Sequence, residues 1–244
     1  MANYGTNAIT VYAPGANGDA APIRVIQGGS TEINGPDGLV IDGAGSIYLA
    51  NQNDNRILVF AAGANGNAAP TRRITGSCTS LNRPLGLALD GAGHLYVANL
   101  AGYTPGTNSV TVYGAGANGN TMPLATIAGG TTGLFNPVGI AVDAAGSIYV
   151  SNYGNTDAGP SNYATAVNVY AAGSSGNVAP IRTITGTMSE PTGLALDAAG
   201  QLYVANFAGQ FVSVFGAGAY GVATPVALIA GPTTKINRPA YVTF

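Results

Sequence analysis

The chain has 244 residues, of which 46% are apolar and only 7% are charged, with eight Lys or Arg residues against ten Asp or Glu residues. This balance excludes the net basic surface that nucleic acid or anionic lipid requires, so we expect no nucleic-acid partner and no membrane partner. The single cysteine excludes an intrachain disulfide, and no run of 18 apolar residues predicts a membrane-spanning helix.

The chain begins with MANYGTNAIT, which lacks the charged and apolar regions of a signal peptide. The low charge nevertheless favours a secreted or periplasmic protein. No asparagine lies in an N-x-Ser/Thr sequence, which favours a bacterial origin.

A phrase of the form P-x-G-L-A-L-D, a short turn and L-Y-V-A-N recurs along the chain. It reads GLVIDGAGSIYLAN at 38–51, GLALDGAGHLYVAN at 86–99, GIAVDAAGSIYVSN at 139–152 and GLALDAAGQLYVAN at 193–206. A fifth copy starts at Arg238 and stops at Phe244, while Ala2-Asn3 matches the two letters that close each full copy. The repeat divides the chain into units of about 4–51, 52–99, 100–152, 153–206 and 207–244.

Each unit contains four short runs of β-branched or aromatic residues, separated by Gly, Pro and Asn. In the second unit these runs are RILVF at 56–60, PTRRI at 70–74, GLALD at 86–90 and HLYVAN at 94–99. Four strands in about 48 residues predict an all-β fold, a β-propeller of five four-stranded blades in one domain of residues 1–244. One blade is predicted to be incomplete and shared between the two termini.

The incomplete blade is predicted to take its inner strand from Ala240 to Phe244 and its two outer strands from Ile9 to Tyr12 and Pro22 to Ile26. Its second strand, about eight residues, is expected to be missing. An unpaired strand edge attracts another strand, so self-association through the incomplete blade is one expected outcome. A ring with a defective seam and a piece of a longer array are the alternatives.

The repeated phrase, followed by a V-Y or V-F strand, resembles that of the NHL-repeat propellers over nearly the whole chain. The resemblance implies that GLALD-type runs are the innermost strands, LYVAN-type runs the second, ITVY-type runs the third and RTI-type runs the outermost. That family usually has Asp where this chain has Asn, so no ligand role is carried over to Asn51, Asn99, Asn152 and Asn206. It also includes RNA readers, which need a basic face that this chain lacks.

Strand alternation places the connections that enter the innermost strands and leave the second strands on one side, called here the top face. These connections vary in length between units. The hairpins on the opposite side, called here the bottom face, have sequences such as DGAGS that are nearly constant. Variation on one face of a repeat protein indicates its binding face, and a surface rich in Tyr and Asn suits a glycan or a peptide. The alternative is that these residues only build turns. The predicted ligand-binding residues are Tyr103, Asn108, Tyr153, Asn155 and Tyr163 in the long connections and Asn82, Arg83, Asn136 and Arg238 at the channel rim.

The repeated acidic residues do not suggest a metal site. Each closes a bottom hairpin, where its carboxylate is predicted to bond its own turn, and the spacing of a calcium loop is absent. These residues are Asp42, Asp90, Asp143 and Asp197. The G-x-G-x-x-G matches at 114–119 and 216–221 lie between strands, without the helix that a nucleotide phosphate needs.

Other reactive residues are few. His94, the single histidine, is predicted to be a solvated residue of a hairpin turn on the bottom face. Cys78, on the top face, is predicted not to act as a nucleophile. Glu32 is expected to form an exposed ion pair with Lys235, worth about 0–1 kcal/mol.

We therefore predict a non-enzymatic binding or scaffold module with no catalytic residue, no metal and no cofactor. One alternative is a lyase- or lactonase-like enzyme, for which Glu32 and Glu190 are the acids on the top face. The other is a propeller fragment that has no ligand.

Overall fold

In the computed structural model, which describes residues 1–102, 106–154 and 165–243, twenty short strands form five small antiparallel sheets arranged in a ring. Four single-turn 3-10 helices are the only helical elements of these residues. The predicted fold class, a five-bladed β-propeller, is confirmed. No helix in the described part of the chain is long and apolar enough to cross a membrane.

The strands follow the repeat closely. In chain order they are β1 (Ala2–Asn3), β2 (Ala8–Val11), β3 (Arg24–Ile26), β4 (Pro36–Ile41), β5 (Ile47–Asn51), β6 (Arg56–Phe60), β7 (Arg72–Ile74), β8 (Pro84–Leu89), β9 (Leu95–Asn99), β10 (Ser109–Tyr113), β11 (Ala125–Ala128), β12 (Pro137–Val142), β13 (Ile148–Asn152), β14 (Ala166–Tyr170), β15 (Arg182–Gly186), β16 (Pro191–Leu196), β17 (Leu202–Asn206), β18 (Phe211–Phe215), β19 (Gly221–Ala223) and β20 (Ala227–Ile229). Blade I is β4–β7, blade II β8–β11, blade III β12–β15, blade IV β16, β17, β18 and β20, and blade V the N-terminal sheet β1–β3.

The innermost strands β4, β8, β12 and β16 contact one another around the axis. Their approach is close because each carries the glycine of the P-x-G phrase. A Cβ built on Gly86 would lie 2.2 Å from the carbonyl oxygen of Val138, and one on Gly139 would lie 2.1 Å from that of Thr192. The repeated glycine therefore sets the width of the ring.

Four hydrophobic clusters lie between successive blades, at the joints V–I, I–II, II–III and III–IV. At joint I–II, for example, Tyr48 and Ile74 of blade I pack in one cluster with Leu87 and Tyr113 of blade II. Among the described residues no such cluster joins blades IV and V.

The outer edge of a blade is covered by the long hairpin of the blade that follows it. A parallel bridge joins the last residue of β3 to Gly66, and equivalent bridges join Ile74 to Gly119 and Ile127 to Gly176. At blade III the contact extends into the strand pair β15–β19. These contacts satisfy edge backbone groups that would otherwise attract other strands.

The second strand of blade V, predicted to be missing, is present in part. β1 pairs Ala2 with Ile9 and Asn3 with Ala8, and Met1 exchanges two hydrogen bonds of 2.9 and 2.6 Å with Thr10. By comparison with β5 and β6, only the two residues that would lie opposite Val11 and the following residue are absent from this strand. The sequence did not predict β1 because a strand of two residues is defined by its hydrogen bonds to β2. Comparison of the repeated phrases does not show those hydrogen bonds.

The predicted inner strand from Ala240 to Phe244 does not form over its described residues, Ala240 to Thr243. The amide of Gly193 in β16 donates a 2.8 Å hydrogen bond to the carbonyl of Ala240. Ala240 therefore lies beside the innermost strand of blade IV, where the innermost strand of blade V would begin. Residues 241–243 have no strand structure, and Phe244 lies outside the described residues. Without the lower part of the second strand, the segment has no ladder on which to continue.

Candidate functional site

The innermost strands enclose an axial channel whose top end forms a cavity of about 270 Å³. Every blade position contributes the residue that follows the proline of the repeated phrase. These residues are Asp37, Leu85, Val138, Thr192 and Ala240. The cavity is therefore built from the repeat itself, but its five wall residues differ from one another.

Aromatic side chains form the upper wall of the cavity. Tyr153 and Phe207, with Gln52, directly follow the asparagine that ends a second strand, and Tyr241 completes the set. Backbone hydrogen bonds hold these positions: the amide of Tyr153 donates to the carbonyl of Asn136 at 3.0 Å, and that of Phe207 to the residue before Pro191 at 3.1 Å.

A ring of strained residues surrounds the mouth. The residue before the repeat's proline has a positive φ in every unit, at Gly35 (64°), Arg83 (49°), Asn136 (48°), Glu190 (51°) and Arg238 (45°). Residues before proline avoid helical φ/ψ values, and a non-glycine residue in the left-handed region costs about 1–3 kcal/mol, so the surrounding contacts must enforce this geometry. The amide of Arg83 is held by a 2.6 Å hydrogen bond to the side chain of Asn55.

Tyrosine hydroxyls and one aromatic ring engage the charges at the mouth. The Tyr241 hydroxyl donates to the Asp37 carboxylate, and the Tyr153 hydroxyl donates to the carboxylate of Glu190. The guanidinium of Arg238 lies 5.4 Å from the centre of the Phe207 ring.

Burial raises the pKa of Asp37 above its ordinary value, against the opposing effect of the Tyr241 hydrogen bond. Burial of the hydroxyl, together with the nearby carboxylate, raises the pKa of Tyr241 well above its ordinary value. Tyr241 as a whole residue is still 45% exposed, because its ring borders the open channel. Burial thus shifts both groups of the pair, the carboxyl and the phenol, toward their neutral forms.

The structure separates the residues predicted from the sequence to bind a ligand. Tyr153 lines the cavity, and Arg83, Asn136 and Arg238 lie on the ring around it. Asn82 is exposed, and its amide donates to Asn99. Tyr103, Asn155 and Tyr163 lie outside the described residues.

Asn108 is fully buried rather than on the surface, and among the described residues neither polar atom of its side chain has a hydrogen-bond partner. Its counterparts Asn7 and Asn55 each accept a hydrogen bond from the next blade, from the amides of Gly35 and Arg83. In the same part of the top face, the Asn136 side chain donates to the carbonyl of Gly154 at 3.1 Å.

Of the residues that line the cavity, only Tyr153 was predicted from the sequence to bind a ligand, and Asp37, Thr192 and Tyr241 are among those that were missed. A signal for Tyr241 was available, since this tyrosine stands where the four complete copies of the phrase have glycine.

The repeated polar residues of the complete copies are structural. Each hairpin aspartate accepts hydrogen bonds of 2.8–3.0 Å from the amides two and four residues later, as predicted. The asparagines that end the second strands are buried, and their side-chain oxygens accept from backbone amides in the connection before the same blade. Nδ1 of His94 lies 2.8 Å from Asp90 at the bottom of the ring, and Cys78 is exposed.

Glu32 does not pair with Lys235. Nη2 and Nε of Arg73 lie 2.5 and 2.9 Å from its carboxylate, and Nη1 of Arg56 lies 3.3 Å away. The Arg73 hydrogen bond, with the charges of both guanidiniums, lowers the pKa of Glu32. Glu32 lies in the connection that leads into blade I, and both arginines belong to that blade. The prediction failed because Lys235 lies instead on the C-terminal segment. Within residues 1–102, 106–154 and 165–243, no three His, Cys, Asp or Glu side chains form a metal-binding group.

No known family model matches the chain, and no curated protein matches it. Several solved β-propeller structures are similar. A streptogramin B lyase structure has a TM-score of 0.52 and 15% identity, over 99% of this chain and 67% of the other. A catalytically inactive histidine-to-alanine variant of virginiamycin B lyase from Staphylococcus aureus, with quinupristin, has a TM-score of 0.55 and 12% identity, over 98% and 67%.

Hydrazine synthase from Kuenenia stuttgartiensis has a TM-score of 0.52 and 19% identity, over 77% of this chain. The match covers 47% of the hydrazine synthase chain, so the present chain spans about half of it. At these identities the likeness establishes the fold alone. That fold is shared with lyases, and the comparisons do not confirm membership of the NHL family.

Proposed function

We propose that the protein is a non-enzymatic binding propeller whose ligand site is the mouth of the axial channel. The observation that best supports this is the cavity itself, which residues from all five units line and which three aromatic side chains border. A concave, mostly apolar site with a few convergent polar groups is the usual form of a small-ligand site.

The ligand we propose is the terminal sugar of a neutral glycan. The cavity of about 270 Å³ is slightly smaller than the roughly 300–1,000 Å³ of typical ligand pockets, so it has room for about one ring. The faces of Tyr153, Phe207 and Tyr241 suit the apolar side of a sugar, and Gln52 and Thr192 carry groups that can bond its hydroxyls. A peptide that inserts one side chain is the runner-up.

Binding to a glycan array, followed by calorimetry on the best glycan, tests this proposal. We expect Phe207→Ala to weaken binding roughly three- to tenfold, because an aromatic contact is worth about 0.5–1.5 kcal/mol. Tyr4→Ala is the matched control, since Tyr4 is an exposed aromatic residue on the same face but outside the cavity. Binding that is lost in Tyr4→Ala and kept in Phe207→Ala would place the site elsewhere. An array without any binder, with a peptide library that yields one, would favour the runner-up.

A lyase is the second candidate, and Asp37 is the observation that favours it. A carboxyl group with a raised pKa inside a cavity is a candidate general base, and the fold is shared with streptogramin B lyase. The similar virginiamycin B lyase is inactive without one histidine, whereas the single histidine of this chain bonds Asp90 at the opposite end of the ring. Incubation with quinupristin and mass spectrometry of the product separate the two candidates. Conversion of quinupristin to a new chromatographic product that Asp37→Asn abolishes, or a stoichiometric divalent metal in the purified protein, would overturn the binding proposal.

We also propose that the blades are of the NHL type. The support is the repeated phrase, whose GLALD-type runs form the innermost strands and whose LYVAN-type runs form the second strands in blades I to IV. The departure from that family, Asn in place of Asp at the end of the second strand, has a structural use here, because the buried amide bonds the adjacent connection.

A further inference from the structure

The cavity at the channel mouth has one polar side, which belongs to blade I. Asp37 in β4 and Gln52, which follows β5, both line the cavity. The register of the blade makes them neighbours, because Pro36 lies opposite Asn51 and each of the two residues directly follows one member of this pair. The amide of Gln52 also donates a 3.0 Å hydrogen bond to the carbonyl of Gly35. A carboxyl and a carboxamide therefore line the cavity side by side.

The rest of the wall offers a ligand few hydrogen bonds. The Thr192 hydroxyl donates to the carbonyls of Pro239 and Ala205, at 2.9 and 3.2 Å, so it can only accept from a ligand. The Tyr153 hydroxyl donates to the carboxylate of Glu190. The wall residues without a polar side-chain atom are Leu85, Val138, Phe207 and Ala240. Hydrogen bonds that discriminate between ligands therefore come mainly from blade I.

Asp37 and Gln52 both have hydrogen-bonding capacity left for a ligand. The Tyr241 hydroxyl and the backbone amide of Gly38 donate to the Asp37 carboxylate. An ionised carboxylate has about four acceptor positions, so it can accept from a ligand as well. Among the described residues the side-chain amide of Gln52 has no hydrogen-bond partner, and its NH₂ group can donate twice. The polar side thus presents an acceptor beside a donor.

An aliphatic surface adjoins this polar side. Leu85 has in blade II the position that Asp37 has in blade I, and it lines the same cavity. The two innermost strands approach closely here, since a Cβ on Gly38 would lie 2.3 Å from the carbonyl oxygen of Leu85. This part of the wall therefore combines an acceptor, a donor and an apolar surface.

We propose that the terminal sugar bound at the mouth carries an acetamido group, an assignment that rests on the function proposed above. The N–H of the acetamido group donates to the carboxylate of Asp37, its carbonyl accepts from the side-chain amide of Gln52, and its methyl group packs on Leu85. The sugar ring then lies toward Tyr153 and Phe207, which blades III and IV contribute on the opposite wall.

A plain hexose fits this part of the wall less well. Its hydroxyl groups can bond Asp37 and Gln52, but a hydroxyl that displaces water from Leu85 has no partner there. A polar group that is buried without a hydrogen bond lowers affinity. An acetamido group instead pairs both of its polar atoms and places carbon against carbon.

A glycan array that pairs each terminal N-acetylglucosamine or N-acetylgalactosamine with the glucose or galactose equivalent tests this. We expect the binders to end in an acetamido sugar, and calorimetry to show binding roughly five- to tenfold tighter than that of the matched hexose glycan, because hydrogen bonds to charged groups are stronger than neutral ones. Equal or tighter binding of the hexose glycans overturns the acetamido proposal and leaves the sugar site at the mouth standing. An array without any binder overturns both.

Two variants test which residues read the acetamido group. Asp37→Asn and Gln52→Leu are each expected to weaken binding of the acetamido glycan roughly three- to tenfold and to reduce its preference over the hexose glycan. Leucine is native at the corresponding position of blade II, Leu100, so Gln52→Leu remains informative if Asp37→Asn fails to fold. Gln201→Leu, the same substitution in a hairpin of the bottom face, is the matched control and leaves binding unchanged.

Phe207→Ala separates recognition of the acetamido group from general loss of the site. This variant acts on the sugar ring, so it is expected to weaken both glycans alike and to keep the preference between them. A preference for the acetamido glycan that survives both Asp37→Asn and Gln52→Leu overturns the proposal.

Discussion

Joint I–II and joint IV–V are built from the same repeat but differ in how they are covered. At joint I–II, Ile74 is 1% exposed, bridged by Gly119, and Asn120 of the covering hairpin accepts a hydrogen bond from the amide of Cys78. At joint IV–V, Ile229 has the position of Ile74 in its blade yet is 44% exposed. A Cβ on Gly231 would meet no atom within 4 Å, whereas one on its counterpart Gly76 would lie 2.4 Å from Asn120.

The difference separates two levels of the fold. β20 pairs with β18 just as β7 pairs with β6, so the pairing inside a blade does not depend on its neighbour. Burial of the outermost strand does depend on the neighbour, because the hairpin of the following blade covers it. A blade is therefore a local unit, and the burial that stabilises the array resides in the joints.

The largest expected effect compares the same substitution at the two joints. Ile74→Ala removes a fully buried side chain and is expected to cost about 2–5 kcal/mol of unfolding free energy. Ile229→Ala is expected to stay within about 0.5 kcal/mol, because the side chain is largely exposed. Urea unfolding of both variants measures the difference. Equal losses would mean that joint IV–V is closed in solution.

The next prediction concerns the close contact of the innermost strands. Gly86→Ala places a methyl group 2.2 Å from a backbone oxygen, and we expect a loss of about 1–3 kcal/mol as the ring is forced apart. Gly91→Ala is the control within the same unit, since its Cβ meets nothing within 4 Å and the equivalent hairpins have alanine at 144 and 198. Thermal unfolding compares the two. A loss as large in Gly91→Ala would show that the ring contact is not the cause.

The repeat was sufficient to predict the blades, and local contacts explain where prediction stopped. Runs such as RILVF became a strand with unchanged bounds, because alternation and turn residues are visible in one unit. The stub β1 was missed because its two residues are defined by pairing with β2. The C-terminal segment shows the opposite case. Its sequence matches the innermost strands of the other units, but it forms no strand in the described residues because its partner strand β1 is only two residues long.

The candidate site was predictable only in outline. Its face followed from the variation of the top connections, which indicated Tyr153 and the rim residues. Asp37 and Thr192 occupy the position after the repeat's proline, where the residue differs from unit to unit. No single copy of the phrase indicates that this position belongs to a site. Their convergence depends on the ring, which brings together residues that are separated by 48 or more positions in the chain. The burial of Asn108 likewise follows from blade packing rather than from residue type.

The smallest expected effect is electrostatic and again compares the joints. Glu32 at joint V–I bonds Arg73 and Arg56, whereas Lys235, which precedes its proline by the same four residues, forms no salt bridge among the described residues. Glu32→Gln is expected to cost up to about 1 kcal/mol at neutral pH, and Lys235→Gln to cost nothing measurable.

Because the pKa of Glu32 is lower in the folded protein than in the unfolded chain, its contribution is present above the ordinary pKa of glutamate. It is lost as the pH falls through the lowered value. Unfolding free energies of the wild type and Glu32→Gln should therefore differ at neutral pH and converge in acid, and high salt should reduce the difference. A gap that persists in acid would mean that Glu32 stabilises the joint by packing rather than by charge.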